Sequence, residues 1–153
     1  MKSQRLLYAA LACTFLCALS SAAQEQGYWR AQSSNAKSIT GDLNFSATKF
    51  TINFSTYTLA QIRTLQPAEA RALFNPDDPS AGAGNLYRLS IPDTKRFLHH
   101  NTLCGGEETD WIITYIEGRD LQLAFFSGPS IPTLTPEAMA DNPRLCGVFS
   151  YQR

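Results

Sequence analysis

The sequence predicts an all-β domain, a small antiparallel β-barrel or sandwich with one or two short helices. Apolar and polar residues alternate along several short segments, which is typical of strands that bury one face. Clusters of Gly, Pro, Asn and Asp separate these segments. Two of the segments, 110–117 and 120–127, are separated only by Gly118-Arg119, which indicates a hairpin.

The first strands are predicted near the start of the domain. Alternation over residues 39–45 and again over 50–54 predicts two half-buried strands, with a turn at 46–49. Apolar residues continue at Tyr57, Leu59 and Ile62, but at odd rather than even positions. We therefore expect the second strand to continue past a bulge near Thr56.

The middle of the chain changes character. Pro67 is suited to a first helical position, and residues 67–74 are good helix formers, so a short helix is predicted there. Residues 75–84 are rich in Pro, Asp and Gly and predict a loop. Alternation predicts a strand at 85–91, and residues 94–98 suggest a shorter one.

The last third of the chain contains the predicted hairpin and a final strand. In residues 110–117 both alternate sets are largely apolar, so this strand is expected to be covered on both sides. Residues 128–143 carry four prolines and predict a long excursion, in which Thr135 would cap one helical turn at 136–139. A strand at 147–151 would end the domain.

The N-terminal residues 1–23 have the layout of a secretory signal. Lys2 and Arg5 precede an apolar run of about fourteen residues, too short to span a membrane, and small residues follow up to Ala23. Cleavage after Ala23 would leave one domain, residues 24–153, without a membrane anchor. We therefore expect a periplasmic or secreted protein.

The charge of the chain is balanced, with 13 basic and 13 acidic residues. Loss of the predicted signal would leave a slight negative net charge and no basic stripe. Nucleic acid and anionic lipid surfaces are therefore poor candidates as partners.

Cys104 and Cys146 are the two cysteines that would survive cleavage. Because export places them in an oxidising compartment, they are predicted to form a disulfide that staples the domain. Glycine follows each of them, which allows the tight backbone that a disulfide often needs.

Both histidines, His99 and His100, lie just before Cys104. A metal or nucleophilic site would need Cys104 as a free thiolate, which the predicted disulfide removes. The alternative is a ligand or base role for one histidine with Glu107 or Glu108. We favour structural or surface histidines, and predict no metal, no cofactor and no catalytic residue.

Two resemblances add to this reading. Gly27-Tyr28-Trp29 resembles the Gly-x-Trp at the first strand of lipocalins and related calycin barrels, in which a basic residue near the chain end stacks on the Trp. That resemblance implies a barrel and assigns the stacking role to Arg153. The order LYR, NTLCGG, W, LAFFSG, LCGVFSY also resembles small exported bacterial proteins of unassigned function, and implies no activity.

Motifs for hydrolytic nucleophiles, zinc proteases and phosphate-binding loops are missing from the sequence. The sequence therefore predicts a non-enzymatic binding protein, with a small apolar ligand or a protein as its partner. A ligand inside the barrel would contact inward aromatic residues, for which we select Trp29, Tyr87, Trp111, Tyr115 and Phe125. The alternative is an inhibitor of an exported hydrolase such as lysozyme, and a His/Glu-dependent enzyme ranks last.

Overall fold

The computed structural model describes residues 22–153. Helices are short: α1 Ala22–Glu25, α2 Pro67–Phe74 and α3 Pro136–Met139, with a π-helical turn at Ala36–Thr40 and a 3-10 turn at Leu98–His100. Nine strands make up the rest of the regular structure: β1 Gly27–Ala31, β2 Leu43–Phe45, β3 Lys49–Ile52, β4 Ser55–Thr58, β5 Ala60–Thr64, β6 Ala83–Ile91, β7 Thr109–Glu117, β8 Asp120–Ser127 and β9 Leu145–Gln152.

All nine strands belong to one antiparallel sheet in the order β4-β3-β2-β1-β9-β8-β7-β6-β5. The two edge strands, β4 and β5, are consecutive in the chain and separated only by Leu59. The sheet therefore wraps round until β4 lies near β6, with Cα atoms within 8 Å, but no ladder of hydrogen bonds closes it. The predicted all-β class with short helices is confirmed, as a curled sheet that is not a closed barrel.

The concave side of the sheet encloses the main apolar core. Its largest members are aromatic side chains from strands on opposite sides of the wrap, among them Phe50, Phe125 and Phe149. The inner positions are every second residue of each strand, as the alternation in the sequence predicts. Buried apolar area of this kind is the main stabilising term in a small domain.

A second apolar layer covers the outer face of β6 to β9. Helix α2 and the Pro-rich segment that contains α3 pack there through Phe74 and Leu134, against Ile113 and Phe126 of the sheet. Residues 109–116 of β7 are consequently buried on both faces, as predicted. The outer face of β1 to β4 has no such cover and carries mainly exposed or half-buried side chains.

Helix α2 begins and ends where the sequence indicates. Pro67 occupies the first turn, and the Glu69 carboxylate caps the helix by accepting a hydrogen bond from the Gln66 amide at 2.9 Å. Asn75 ends the helix in the left-handed conformation, which asparagine tolerates better than most residues. The predicted turn at 136–139 is also confirmed, and the Thr135 hydroxyl accepts a hydrogen bond from the Ala138 amide.

One predicted strand is too long and another does not form. Residues 36–40 form a π-helical turn rather than the start of a strand, since the Asn35 side chain accepts a hydrogen bond from the Ala36 amide and the Gly41 amide bonds back to the Ala36 carbonyl. Only 43–45 of the predicted 39–45 strand joins the sheet. Residues 94–98 form no strand, and the chain turns at Leu98–His100 instead.

The continuous strand predicted through Thr56 is also wrong. Asn53 and Phe54 both have positive φ, of 45° and 61°, and reverse the chain between Ile52 and Ser55. Thr56 then pairs with Thr51 across a tight hairpin. The change from even to odd apolar positions therefore marks a two-residue turn rather than a bulge.

The predicted disulfide is confirmed between Cys104 and Cys146. It joins the first residues of β9 to the loop before β7 and packs against the main core. The signal predicted for residues 1–23 lies largely outside the described residues. Within the described part of the chain, no helix has the length and apolar character needed to cross a membrane.

Candidate functional site

The five aromatic residues predicted to line one ligand cavity lie in two different layers. Trp29, Tyr87 and Phe125 point into the main core, whereas Trp111 and Tyr115 pack in the outer layer beneath α2 and the Pro-rich segment. The outer two are tied there by hydrogen bonds, from Trp111 Nε1 to the Gly128 carbonyl and from the Tyr115 hydroxyl to the Asp78 carbonyl. The structure therefore does not bring the five residues together.

The interior of the sheet is filled by its own side chains. The Phe125 ring packs edge-on against Phe149, with centroids 5.4 Å apart, and is 6.1 Å from the Phe50 ring. All three rings are essentially inaccessible to solvent. This packing counts against an apolar ligand that would sit between them.

A buried carboxyl group, that of Glu25, lies beside this core, just before strand β1. The Glu25 side chain is 2% exposed and accepts hydrogen bonds from Asn85 Nδ2, at 2.8 Å, and from the hydroxyls of Thr114 and Tyr87. Burial raises the pKa of Glu25, and these three hydrogen bonds offset only part of the rise. Since every oxygen of the carboxyl group has a partner, the cluster is a satisfied structural network.

The segment around Glu25 is held by the other end of the chain. The Arg153 guanidinium lies 4.2 Å over the Trp29 ring, which is the contact that the Gly-x-Trp resemblance implies. Its Nη2 donates to the carbonyls of Gln24 and Gln26, and Trp29 Nε1 donates to the Glu25 carbonyl at 2.8 Å. Residues 24–26, which we call the entry segment, are therefore fixed from both sides.

A groove of about 370 Å³ lies on the uncovered outer face of β1 to β3. This volume is within the range of sites that hold small molecules or single side chains. Its apolar walls are formed by the side chains of Tyr28, Phe54 and Leu98. Its polar lining comes mainly from Asp42, Asn44, Thr51 and Asn53.

Phe54 is the most unusual residue of this groove. Its side chain is fully exposed, although phenylalanine is normally buried. Its φ of 61° lies in the left-handed region, which costs a residue with a Cβ about 1–2 kcal/mol. The turn thus presents an aromatic ring to solvent at the expense of local stability, and strain of this kind is concentrated at functional sites.

Tyr28 forms the opposite wall and is held in one orientation. Its ring is 57% exposed, and its hydroxyl donates a hydrogen bond to Asp42, whose other oxygen accepts from the Ala31 amide at 2.8 Å. This hydrogen bond raises the pKa of Tyr28. Asn44 and Thr51 lie beside Tyr28 in the strand register, so the groove crosses three strands at one level.

The two histidines lie on an exposed turn near this groove. His99 and His100 both have positive φ, of 54° and 63°, and both are exposed. Among the hydrogen bonds of the described residues, none joins either imidazole to Glu107 or Glu108, and Glu108 instead accepts from Ser90. No group of three His, Cys, Asp or Glu side chains in residues 22–153 is arranged to hold a metal ion.

The groove and the buried glutamate were not predicted from the sequence. Phe54 was assigned to a strand core, because its position continues the alternation of Phe50 and Ile52. The one local signal was Asn53, a residue that favours positive φ and therefore a turn. Glu25 lies between the predicted signal and the first strand, where nothing in the sequence indicates burial.

Comparison with known proteins finds no matching family model, no matching curated protein and no matching solved structure.

Proposed function

We propose that this chain is an exported, non-enzymatic binding protein that binds its partner in the outer groove between Tyr28 and Phe54. The observation that carries the proposal is Phe54, a fully exposed aromatic ring on a left-handed turn beside the groove. An exposed aromatic side chain on a rigid hairpin is a typical anchor in protein and ligand recognition.

The filled interior supports an outer site. A ligand among Phe50, Phe125 and Phe149 would have to displace packed rings, and each displaced ring would lose roughly 1.5–3 kcal/mol of burial. The groove requires no such rearrangement, since Tyr28 is already fixed by Asp42. A pre-organised site loses less conformational entropy when it binds.

The lining of the groove supports a partner that is apolar with a few polar groups. Leu98 and Phe54 offer apolar contact. The side-chain amide of Asn44 is exposed and makes no hydrogen bond among the described residues, so it is available to a ligand. A single aromatic or aliphatic side chain of a protein partner, or a small uncharged molecule, would fit this combination.

A titration with the uncharged dye Nile red tests the proposal. Phe54→Ser should weaken binding roughly tenfold to a hundredfold, because a buried phenyl ring contributes roughly 1.5–3 kcal/mol. Ile131→Ser is the matched control, since Ile131 is a half-exposed apolar side chain on the Pro-rich segment, away from the groove residues. Equal loss in both variants, or no loss in Phe54→Ser, would contradict the outer site.

Nuclear magnetic resonance locates the dye directly. We expect the largest amide shift changes at Gly41, Asn44 and Phe54, which line the groove. Changes centred on Leu123 and Phe125 would instead support a ligand inside the wrap and would refute the outer site.

Inhibition of an exported hydrolase such as lysozyme is the second candidate, and the shape of the β3–β4 hairpin favours it. Asn53 and Phe54 form the turn of this hairpin, and the Phe54 ring is fully exposed. A narrow turn that carries an exposed ring could enter the cleft of an enzyme. A lysozyme turnover assay with excess protein tests this directly. Inhibition that disappears in Phe54→Ser but not in Ile131→Ser would support it, and unchanged turnover with the unmodified protein would refute it.

A further inference from the structure

A second cleft, of about 710 Å³, lies next to the groove and shares Tyr28 with it. Its other lining residues are all cationic or amide side chains: Arg30, Gln32, Arg119, Gln152 and Arg153. We call it the arginine cleft. In contrast to the groove, it contains no aliphatic wall.

The sheet and one turn bring the three arginines together. Arg30 on β1 pairs with Gln152 on β9, and Arg153 is the next residue in the chain after Gln152. Arg119, in the turn between β7 and β8, donates from Nε and Nη2 to the main-chain oxygen of Arg153, at 3.1 Å and 2.6 Å. The Arg153 amide in turn donates to the Arg119 carbonyl, which fixes the spacing of this pair.

Among the described residues, none of the three arginine side chains of this cleft forms an ion pair with an acidic side chain. The ion pairs of the described residues are Arg63–Glu69 and Arg88–Asp110, and neither lies here. Arg153 Nη2 bonds to the neutral carbonyls of Gln24 and Gln26, and Arg30 makes no hydrogen bond within the described chain. Two carboxylates lie beside the cleft but bond to other groups: Asp120 accepts from Gln152, and Asp42 accepts from Tyr28 and the Ala31 amide.

Clustered guanidinium groups that lack ion-pair partners repel one another, and an anion relieves that repulsion. The planar guanidinium fork matches the oxygens of a phosphoryl group in a bidentate geometry. Arg30 has all its donors available, and Arg153 keeps donors beyond Nη2. The cleft therefore has both the charge and the hydrogen-bond donors that a doubly charged oxyanion requires.

We propose that the arginine cleft binds a phosphoryl group, held by Arg30 and Arg153, with Arg119 positioning Arg153. The proposal is independent of the groove, because it uses a different set of residues and a different chemistry. A ligand that carries a phosphoryl group beside an apolar part would reach both sites across Tyr28. The group could belong to a soluble phosphorylated molecule or to a lipid headgroup, and the experiment separates the two sources.

Calorimetric titration with inorganic pyrophosphate at low salt is the first test. Arg30→Gln should weaken binding about tenfold or more, because it removes a charge-assisted bidentate contact. The Arg30 side chain is exposed and makes no hydrogen bond among the described residues, so its replacement should leave the fold intact. Arg71→Gln on α2 is the matched control, an exposed arginine away from the cleft, and should bind as the unmodified protein does. Binding of pyrophosphate should also weaken as salt is raised.

Sedimentation with phosphatidylglycerol vesicles distinguishes the sources. Vesicle binding that needs Arg30 and is competed by pyrophosphate supports a lipid headgroup, whereas pyrophosphate binding without vesicle binding supports a soluble ligand. If neither probe binds, or if Arg30→Gln and Arg71→Gln bind equally, the proposal is overturned. Nile red binding is unaffected by either result, so failure here is distinct from failure of the groove.

Discussion

Replacement of Glu25 by alanine is expected to destabilise the domain by about 2–4 kcal/mol. The change removes the acceptor of three buried donors, Asn85 Nδ2 and the hydroxyls of Thr114 and Tyr87. The Thr114 hydroxyl has a second acceptor, the Asn85 carbonyl at 3.3 Å, so two groups lose their partner. Each buried group without a partner costs about 1–3 kcal/mol, and the relief from burying a carboxyl group offsets part of the sum.

Replacement of Glu25 by glutamine should cost less than about 1 kcal/mol, because an amide reproduces the protonated carboxyl group. Its oxygen can accept from Asn85 and Thr114, and its nitrogen can donate to the Tyr87 hydroxyl. Glu25→Ala thus measures the loss of the hydrogen bonds, whereas Glu25→Gln measures the loss of the ionisable group alone. Glu137→Gln, at an exposed position on α3, controls for the loss of a carboxyl group as such.

The pH dependence of stability tests the same network. Because burial raises the pKa of Glu25 above its ordinary value of 4.5, its contribution is fully present below about pH 4.5. That contribution is lost as the pH rises from there through the higher pKa of the folded state. The glutamine of Glu25→Gln does not titrate. As the pH rises over this range, the variant should therefore become more stable relative to the unmodified protein.

Urea unfolding followed by circular dichroism, repeated from pH 4 to pH 8, measures both effects. The reasoning is refuted if Glu25→Ala unfolds at the same urea concentration as Glu137→Gln. It is also refuted if the unmodified protein and Glu25→Gln keep a constant difference in stability across the series, since that would mean that folding does not raise the pKa of Glu25.

Three further predictions concern other parts of the fold. Cys104→Ser should lower the free energy of unfolding by about 4 kcal/mol, because the disulfide closes a loop with a sequence separation of 42; urea unfolding with and without reductant measures it. Phe54→Gly should raise stability by about 1 kcal/mol while weakening Nile red binding as much as Phe54→Ser does, and a fall in its melting temperature would contradict the strain assigned to the turn. Arg153→Ala should cost about 1–2 kcal/mol and speed amide exchange in residues 24–27, whereas unchanged exchange would show that the entry segment is held by other contacts.

Much of the fold could be predicted because its signals are local. The hairpin around Gly118-Arg119 needed only alternation and a turn, and α2 needed only its capping residues. The disulfide followed from the number of cysteines and the expected compartment. The error at Thr56 arose because the same alternation is compatible with a bulge or a turn, and only the register with Thr51 decides between them.

The candidate sites could not be predicted in the same way, because they depend on contacts between distant segments. Glu25 is buried by Asn85 and Thr114, which lie 60 and 89 residues away along the chain. The assignment of Trp111 and Tyr115 to the same cavity as Phe125 failed because β7 is covered on both faces, so that apolar character alone does not tell which face a side chain joins.

The position of Leu59 has a consequence for behaviour at high concentration. An open sheet normally offers two unpaired strands on which another molecule can add its own, and this is a common route to fibrils. Here both edge strands flank one residue, and β4 lies near β6 of the same molecule. The two edges therefore lie close together rather than at opposite ends of the sheet, and we expect the protein to resist self-assembly although no ladder of hydrogen bonds closes its sheet.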